Sequence, residues 1–284
     1  MKIISSPNEM RSWAESVRAK EEHLALVPTM GYLHEGHLAL VKKARELGDR
    51  VVVSIFVNPT QFGPGEDLLS YPGDLRGDLS KLEALGVDAV FTPTPETMYG
   101  ENFNSYVIPT HLADTLCGQT RPGHFRGVCT VVLLLFRITL CQTAVFGEKD
   151  YQQLQILKQL ARDLWLDVRV VGLPIVREED GLAMSSRNVH LSAEERLSAL
   201  SLNHSLTLIG ELIESGERSA FALRAAAAAL IEDSPDVRID YLEIVDSSNL
   251  APLPTVESHF TCAMAVFVGT TRLIDNRSFS ISCT

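Results

Sequence analysis

The chain has no apolar run approaching the roughly 18 residues that cross a bilayer, so it offers no membrane span. Its opening, Met1-Lys2-Ile3-Ile4-Ser5-Ser6-Pro7, holds no apolar stretch long enough for a secretory signal, and the expectation is a cytoplasmic protein. Cysteine is sparse and unpatterned. Cys117, Cys129, Cys141, Cys262 and Cys283 are odd in number and none forms a C-x-x-C pair, which points to reduced thiols rather than a disulfide framework. Basic residues are also short, at 25 against 36 acidic for a net charge of −11, with no long basic run. That argues against a polynucleotide as the main partner, because nucleic-acid binding usually shows a positive stripe. Internal repeats are absent, and the longest low-complexity tract is Ala225 to Ala229.

What is present begins with length: 284 residues bury a large core in one large or two modest domains. Leu26 to His37, LVPTMGYLHEGH, continues an apolar segment from His23-Leu24-Ala25, is broken by Pro28 and Gly31, and precedes the helical spacing Leu38, Val41, Ala44, Leu47. This reads as strand, turn and helix start. The first N–H groups of a helix have no partner inside it and carry the positive end of the dipole, so a phosphate is well placed there. Gly31 and Gly36 permit close approach, and His34 and His37, three residues apart, can face one phosphate. On its own, H-x-G-H is equally two surface histidines beside a helix cap. Zinc is disfavoured because no nearby Cys, Asp or Glu spacing supplies a third ligand, and no metal site is expected.

Arg50 to Val57 is a β-branched run suited to a strand of a parallel sheet covered on both faces, ending in the loop Asn58-Pro59-Thr60-Gln61-Phe62-Gly63-Pro64-Gly65. Ligands of such sheets bind beyond the carboxyl ends of the strands, which makes Asn58 and Gln61 candidate substrate contacts, with turn chemistry as the alternative for Asn58. Asp74 is expected to cap a helix carrying Leu75, Leu79, Leu82 and Leu85, followed by a short strand, Ala89 to Phe91. Tyr99 to Pro109 suggests a loop and a strand. Arg121 to Gly127 then reads as a glycine-punctuated loop suited to an anion. Thr143 to Phe146 is a strand, and a helix over Tyr151 to Leu164 follows Gly147-Glu148-Lys149-Asp150. Lys149 can neutralise phosphate charge and Asp150 can cap the helix or accept from a ribose hydroxyl, unless the two form a solvated pair. One of Gln152 and Gln153 should point back to the ligand crevice.

After the strand Asp167 to Val171, Met184-Ser185-Ser186-Arg187 offers two hydroxyls and a guanidinium for charge developing at an α-phosphate, or else a linker before the capping box Ser192/Glu195. Beyond Ser192 come helices near Ala193–Ile213 and Ser219–Ile231, then strands Ile239–Val245 and Thr261–Val268 and a possible one at Arg272–Ile274, without βα alternation. The expected fold is therefore α/β: a Rossmann-like parallel sheet over residues 1–175 and a smaller C-terminal α+β lid domain over 176–284.

Taken in order, Pro28-Thr29-Met30-Gly31 with His34-Glu35-Gly36-His37, Phe56 to Phe62, Arg121 to Gly127, Phe146 to Gln153, Asp180 to Asn188, and Arg272-Leu273-Ile274-Asp275-Asn276 resemble the pantoate–β-alanine ligase family of the H-x-G-H nucleotidyltransferases. Met184 to Arg187 is similar to that superfamily's KMSKS-type second signature. The resemblance implies a two-step reaction: pantoate attacks the ATP α-phosphate to give pantoyl adenylate and pyrophosphate, and β-alanine then displaces AMP to form pantothenate. It assigns ATP to Met30, Gly31, Tyr32, Leu33, His34, Glu35, Gly36, His37, Gly147, Glu148, Lys149, Asp150, Val176, Met184, Ser185, Ser186 and Arg187, with Mg²⁺ as counter-charge. Gln61 and Gln153 would hold pantoate, and Gln61 would also meet β-alanine; Asn58 and Arg121 join them as substrate-binding candidates from the loop readings above. His37 would be the proton donor, and the catalytic set would be His34, His37, Lys149, Ser185, Ser186 and Arg187. A homodimer is the implied assembly. The chain departs from the family pattern at Gly73-Asp74, Leu134 and Gln142-Thr143. Two rival readings are an adenylyltransferase for a phosphorylated acceptor, which needs a further basic pocket, and a catalytically silent nucleotide-binding regulator.

Overall fold

The computed structural model describes residues 1–281, and Cys283 lies outside the described residues. In chain order the first elements are β1 (Lys2–Ile4), α1 (Pro7–Arg18), β2 (Leu24–Thr29), α2 (Glu35–Leu47), β3 (Arg50–Ile55), α3 (Leu75–Ala84), β4 (Ala89–Phe91), α4 (Pro95–Tyr99) and α5 (Cys117–Thr120). There follow α6 (His124–Thr139), β5 (Thr143–Gly147), α7 (Tyr151–Asp163), β6 (Arg169–Leu173), α8 (Ala193–Glu214), α9 (Ala220–Glu232), β7 (Val237–Asp246), β8 (His259–Val268) and β9 (Thr271–Ser280). They form two compact units, the first made of Met1–Thr110, Arg121–Glu148 and Ile156–Pro174.

The first unit is a six-stranded parallel sheet in the order β1-β4-β3-β2-β5-β6, a Rossmann-like arrangement. Side chains of a strand alternate between faces, and Ala25 and Val27 of β2 and Val51 and Val53 of β3 meet Leu40, Val41 and Ala44 of α2 in one fully apolar layer. α1 and α6 pack against β2 and against each other. Strand order reverses between β2 and β5, so the crevice at their carboxyl ends is the topological switch point.

Several boundaries differ from the sequence expectation. β1 and α1 were not anticipated, although Ser6 accepts from the Glu9 N–H, Pro7 occupies the first turn, and Met10, Ala14 and Val17 make a buried stripe. β3 stops at Ile55. No strand forms between Tyr99 and Pro109. α6 starts at His124, so the second half of the Arg121 to Gly127 motif is helix rather than loop, entered through Gly123 at φ 85°.

The second unit takes in His111–Thr120 and Lys149–Gln155 as well as the chain from Ile175 onward. Its sheet is antiparallel, β7-β8-β9. On β8, Phe260, Cys262, Met264, Val266 and Val268 recur every second residue and bury against Leu202, Leu206 and Ile209 of α8 and Leu223, Ala227 and Ile231 of α9. Ala263, of opposite parity, packs with Leu112, Leu116 and Tyr151. That second face explains why two segments distant in sequence belong to this unit. β9 extends over ten residues rather than the three expected, because it pairs with β8 along its whole length. Cys117, Cys129, Cys141 and Cys262 are free thiols, and burial pushes those of Cys129 and Cys141 up to about 12. No helix among the described residues is long and apolar enough to cross a membrane.

Candidate active site

In the first unit the turn after β2 is held from several sides. Thr29 Oγ1 donates to the Ser54 carbonyl at 2.7 Å and accepts from the Gly31 N–H at 3.2 Å. Gly31 has φ +87°, and a Cβ there would stand 3.2 Å from Asp78 Oδ2, so the position favours glycine twice over. Tyr32 also has a positive φ, 51°, a conformation that needs support. The support is Asp78 on α3, whose buried carboxylate accepts the Tyr32 N–H at 2.8 Å and the Leu33 N–H at 2.7 Å. One turn further on, Lys81 Nζ donates to the Leu33 carbonyl at 2.6 Å.

The chain then enters α2 with His34 as its N-cap residue. The ring centroids of His34 and His37 are 4.0 Å apart, and both rings are half-buried. The His34 N–H donates to His37 Nδ1 at 3.3 Å. While that bond is made Nδ1 carries no proton, so the neutral ring presents Nε2–H as a donor.

Asn58, Pro59, Thr60 and Gln61 form a short 3-10 turn beyond β3, where a loop was expected. Asn58 is buried, and its side chain serves the protein: Nδ2 donates to Gln61 Oε1 at 3.0 Å and to the Gly127 carbonyl at 3.2 Å, while Oδ1 accepts from Thr60 and Tyr99. With Gln61 Oε1 occupied as an acceptor, its amide NH₂ donates to Met30 Sδ at 3.3 Å. A Cβ on Gly127 would overlap the Thr60 carbonyl, so this glycine lets α6 lie against the turn. Arg121 is committed to Glu66, at 2.6 and 2.8 Å, and reaches the Gln61 carbonyl; this pairing holds the Glu66 carboxyl below its usual range. His124 Nδ1 also bonds the Gln61 carbonyl, at 2.9 Å. The arginine loop thus braces the Gln61 backbone.

The second unit gathers the remaining candidates. Lys149 is half-buried; burial pulls its ammonium below the ordinary lysine range, opposed by Asp150 and reinforced by Arg187, with Asp275 opposing again. Met184 N–H donates to the Val176 carbonyl at 3.0 Å, so two positions eight apart in sequence are adjacent across a small hairpin turning at Gly181. Asn188 Nδ2 bonds Glu178 and the Ala183 carbonyl, and Arg196 clasps Glu178 and Asp180. Ser185 Oγ caps the following 3-10 turn by accepting the Arg187 N–H at 3.2 Å. Of the two glutamines opening α7, Gln152 is buried and spent on the backbone of Leu112, Thr115 and Cys117, whereas Gln153 is half-buried.

A family model described as pantoate-beta-alanine ligase matches residues 2–278. The chain belongs to the pantoate–β-alanine ligase family. Its similarity to relatives spans nearly its whole length: the pantothenate synthetase of Fervidobacterium nodosum is 52% identical over 97% of this chain and 98% of its own, and that of Thermotoga petrophila 51% identical over 97% and 99%. Among solved structures, pantothenate synthetase from Thermus thermophilus superposes with a TM-score of 0.92 at 44% identity, covering 98% of this chain and 99% of its own. The pantoate-beta-alanine ligase of Francisella tularensis, complexed with beta-gamma ATP and beta-alanine, gives 0.78 at 33% identity over 98% and 97%. Sequence reasoning singled out the imidazoles, the lysine and the Ser-Ser-Arg turn as candidates, and gave no place to Asp78, Lys81 and Tyr99, which the structure joins to the turns carrying those candidates. Asp78 and Lys81 are spaced i,i+3 on one face of α3, a signal visible in the sequence but indistinguishable there from an ordinary surface pair.

Proposed function

We propose that the reaction of this ligase, the ATP-dependent condensation of pantoate with β-alanine, proceeds through a pantoyl adenylate handled by the residues described above. The observation that carries the reading is the imidazole pair at the N-terminus of α2, beyond the carboxyl end of β2 at the switch point of the sheet, in a chain matched by the ligase family over residues 2–278. A pantoate carboxylate oxygen attacks the α-phosphorus while the bond to the bridging oxygen of the β-phosphate breaks and pyrophosphate leaves. Charge builds on the α-phosphate oxygens, and His37 Nε2–H, with His34, Lys149, Ser185, Ser186 and Arg187, supplies donors for it. The NH₂ of Gln61, with Gln153, orients pantoate. In the second half the β-alanine amine attacks the acyl carbon, the tetrahedral adduct collapses, and AMP leaves with the electron pair of the acyl–oxygen bond. The adenylate is already an activated acyl group, so no covalent enzyme intermediate is needed.

Among the described residues no group of three or more His, Cys, Asp or Glu side chains is gathered to hold a metal ion. Mg²⁺ brought in by ATP would neutralise phosphate charge. Cytoplasmic residence and a homodimer belong to the same proposal; the free thiols suit a reducing compartment, and sedimentation velocity reads the assembly. The deciding experiment is ATP–pyrophosphate exchange with and without pantoate, followed by identification of products after adding β-alanine. Exchange that ignores pantoate removes the proposed order of steps, and absence of exchange removes the adenylate.

A further inference from the structure

Arg272 to Asn276 is the one stretch of family resemblance to which the reading above gives no task. It lies on β9, where Asp275 is paired with Met264 and Asn276 with Ala263 of β8, and both side chains are buried. Polar groups in the middle of a packed strand are costly unless bonded, so what they bond to is informative. The Asp275 carboxylate accepts from Arg177 Nη1 at 2.7 Å and Nη2 at 2.9 Å, a fork that fixes the guanidinium. Arg177 Nη1 also donates to the Gly181 carbonyl at 3.1 Å, across the hairpin that joins Val176 to Met184. Asn276 Nδ2 donates to the main-chain carbonyl of Lys149 at 2.9 Å. The Asn276 N–H bonds Asp275 Oδ1 at 2.8 Å, tying the two residues together.

We propose that Asp275 and Asn276 are positioning residues for the adenylation step: Asn276 fixes the main chain at Lys149, and Asp275, through Arg177, fixes the hairpin that presents Met184 to Arg187. One strand, hydrogen-bonded along its length, thereby sets both cationic elements of the second unit in a single frame. Sites carried on regular elements hold their geometry better than sites on loops, and here the loops borrow it from β9. The inference rests on the reading that Lys149 and Arg187 engage the ATP phosphates. Asp275 also bears on the charge of Lys149, acting with Asp150 against burial and Arg187.

The test is a double-mutant cycle on full-length protein. Lys149→Ala comes first: if ATP-dependent exchange survives it unchanged, the reading beneath this inference fails before Asn276 is touched. Given a loss there, Asn276→Leu is expected to lower kcat/KM for ATP by about tenfold or more in the wild-type background and to add little in the Lys149→Ala background, as expected for groups acting through one another. Equal losses in both backgrounds, or none in either, overturn the proposal. Thermal denaturation accompanies each variant, and Asn276→Ala, which removes the donor without adding bulk, replaces the leucine variant in the same cycle if the latter does not fold. A second readout is the pH profile: Asp275→Asn should move the alkaline limb of kcat/KM for ATP to lower pH, because a carboxylate favouring the ammonium has gone. An unmoved limb contradicts the role assigned to Asp275.

Discussion

His37 holds its ring proton on Nε2 because Nδ1 is taken up by the His34 N–H. A donor so placed stabilises charge that develops on a phosphate oxygen without first having to reorient. His37→Ala is therefore expected to slow pantoate-dependent exchange on the order of a hundredfold or more, and His37→Gln, which restores an N–H near the Nε2 position, to lose less. Near-wild-type exchange in the alanine variant would point to another residue. Lys149 makes a second expectation at this scale. Burial lowers its pKa, so the ammonium gives up its proton at a pH below that of an ordinary lysine, and kcat/KM for ATP should fall on the alkaline side correspondingly early. Lys149→Arg keeps its charge throughout that range, so the limb should move upward or vanish; a limb left in place assigns it to a different group. These residues stood out as candidates in the sequence because their chemistry is in their side chains. Asn58 was legible only in part: the sequence offered it as a substrate contact or a turn former, and the structure turns its amide onto Thr60, Gln61 and Gly127. Nothing in the composition of that turn tells which way a side-chain amide faces.

At the scale of elements, α3 acts on the turn before α2 through main-chain atoms. Asp78 gathers the N–H groups of Tyr32 and Leu33, and Lys81 the carbonyl of Leu33, 45 to 48 residues away in sequence. Such contacts leave no pattern, because a backbone group is present at every position. Asp78→Ala strands two N–H groups beneath a turn that already carries positive φ at Gly31 and Tyr32, and should cost about 2 to 4 kcal/mol of stability, measured by urea titration. Exchange activity per folded molecule should fall as well, since His34 follows the turn directly. Full activity in the folded fraction would restrict Asp78 to stability. The same scale explains the misplaced start of α6. Arg121-Pro122-Gly123 breaks the pattern as expected, but a helix begins at His124, and Gly127 within it lies against Thr60 where a Cβ would overlap the carbonyl. β1 and α1 escaped notice for a different reason: three residues are too few to show a period, while the Ser6-Pro7 start was there to be read.

Across the whole molecule, the acidic chain must concentrate its few cations, and the candidate groups fall into two sets: the imidazole pair and Gln61 in one compact unit, and Lys149, Gln153 and the Ser-Ser-Arg turn in the other. Alternating strand and helix patterns announced an α/β chain, and the parallel six-stranded sheet with its separate antiparallel sheet bears that fold class out. The membership of 111–120 and 149–155 was not legible, because it depends on the second face of the β7-β8-β9 sheet, which the alternation along β8 implies only once the sheet is known. Whether both sets serve one nucleotide is a question of energetic coupling. Groups that stabilise the same transition state are far from additive, since losing one removes much of what the other contributes, whereas groups serving separate events multiply their losses. His37→Ala and Arg187→Ala should therefore combine to a loss smaller than the product of the single losses by about tenfold or more, read as kcat/KM for ATP in pantoate-dependent exchange. Losses that simply multiply would assign the imidazoles and the guanidinium to different steps, and the adenylation scheme would then need only one of the two sets.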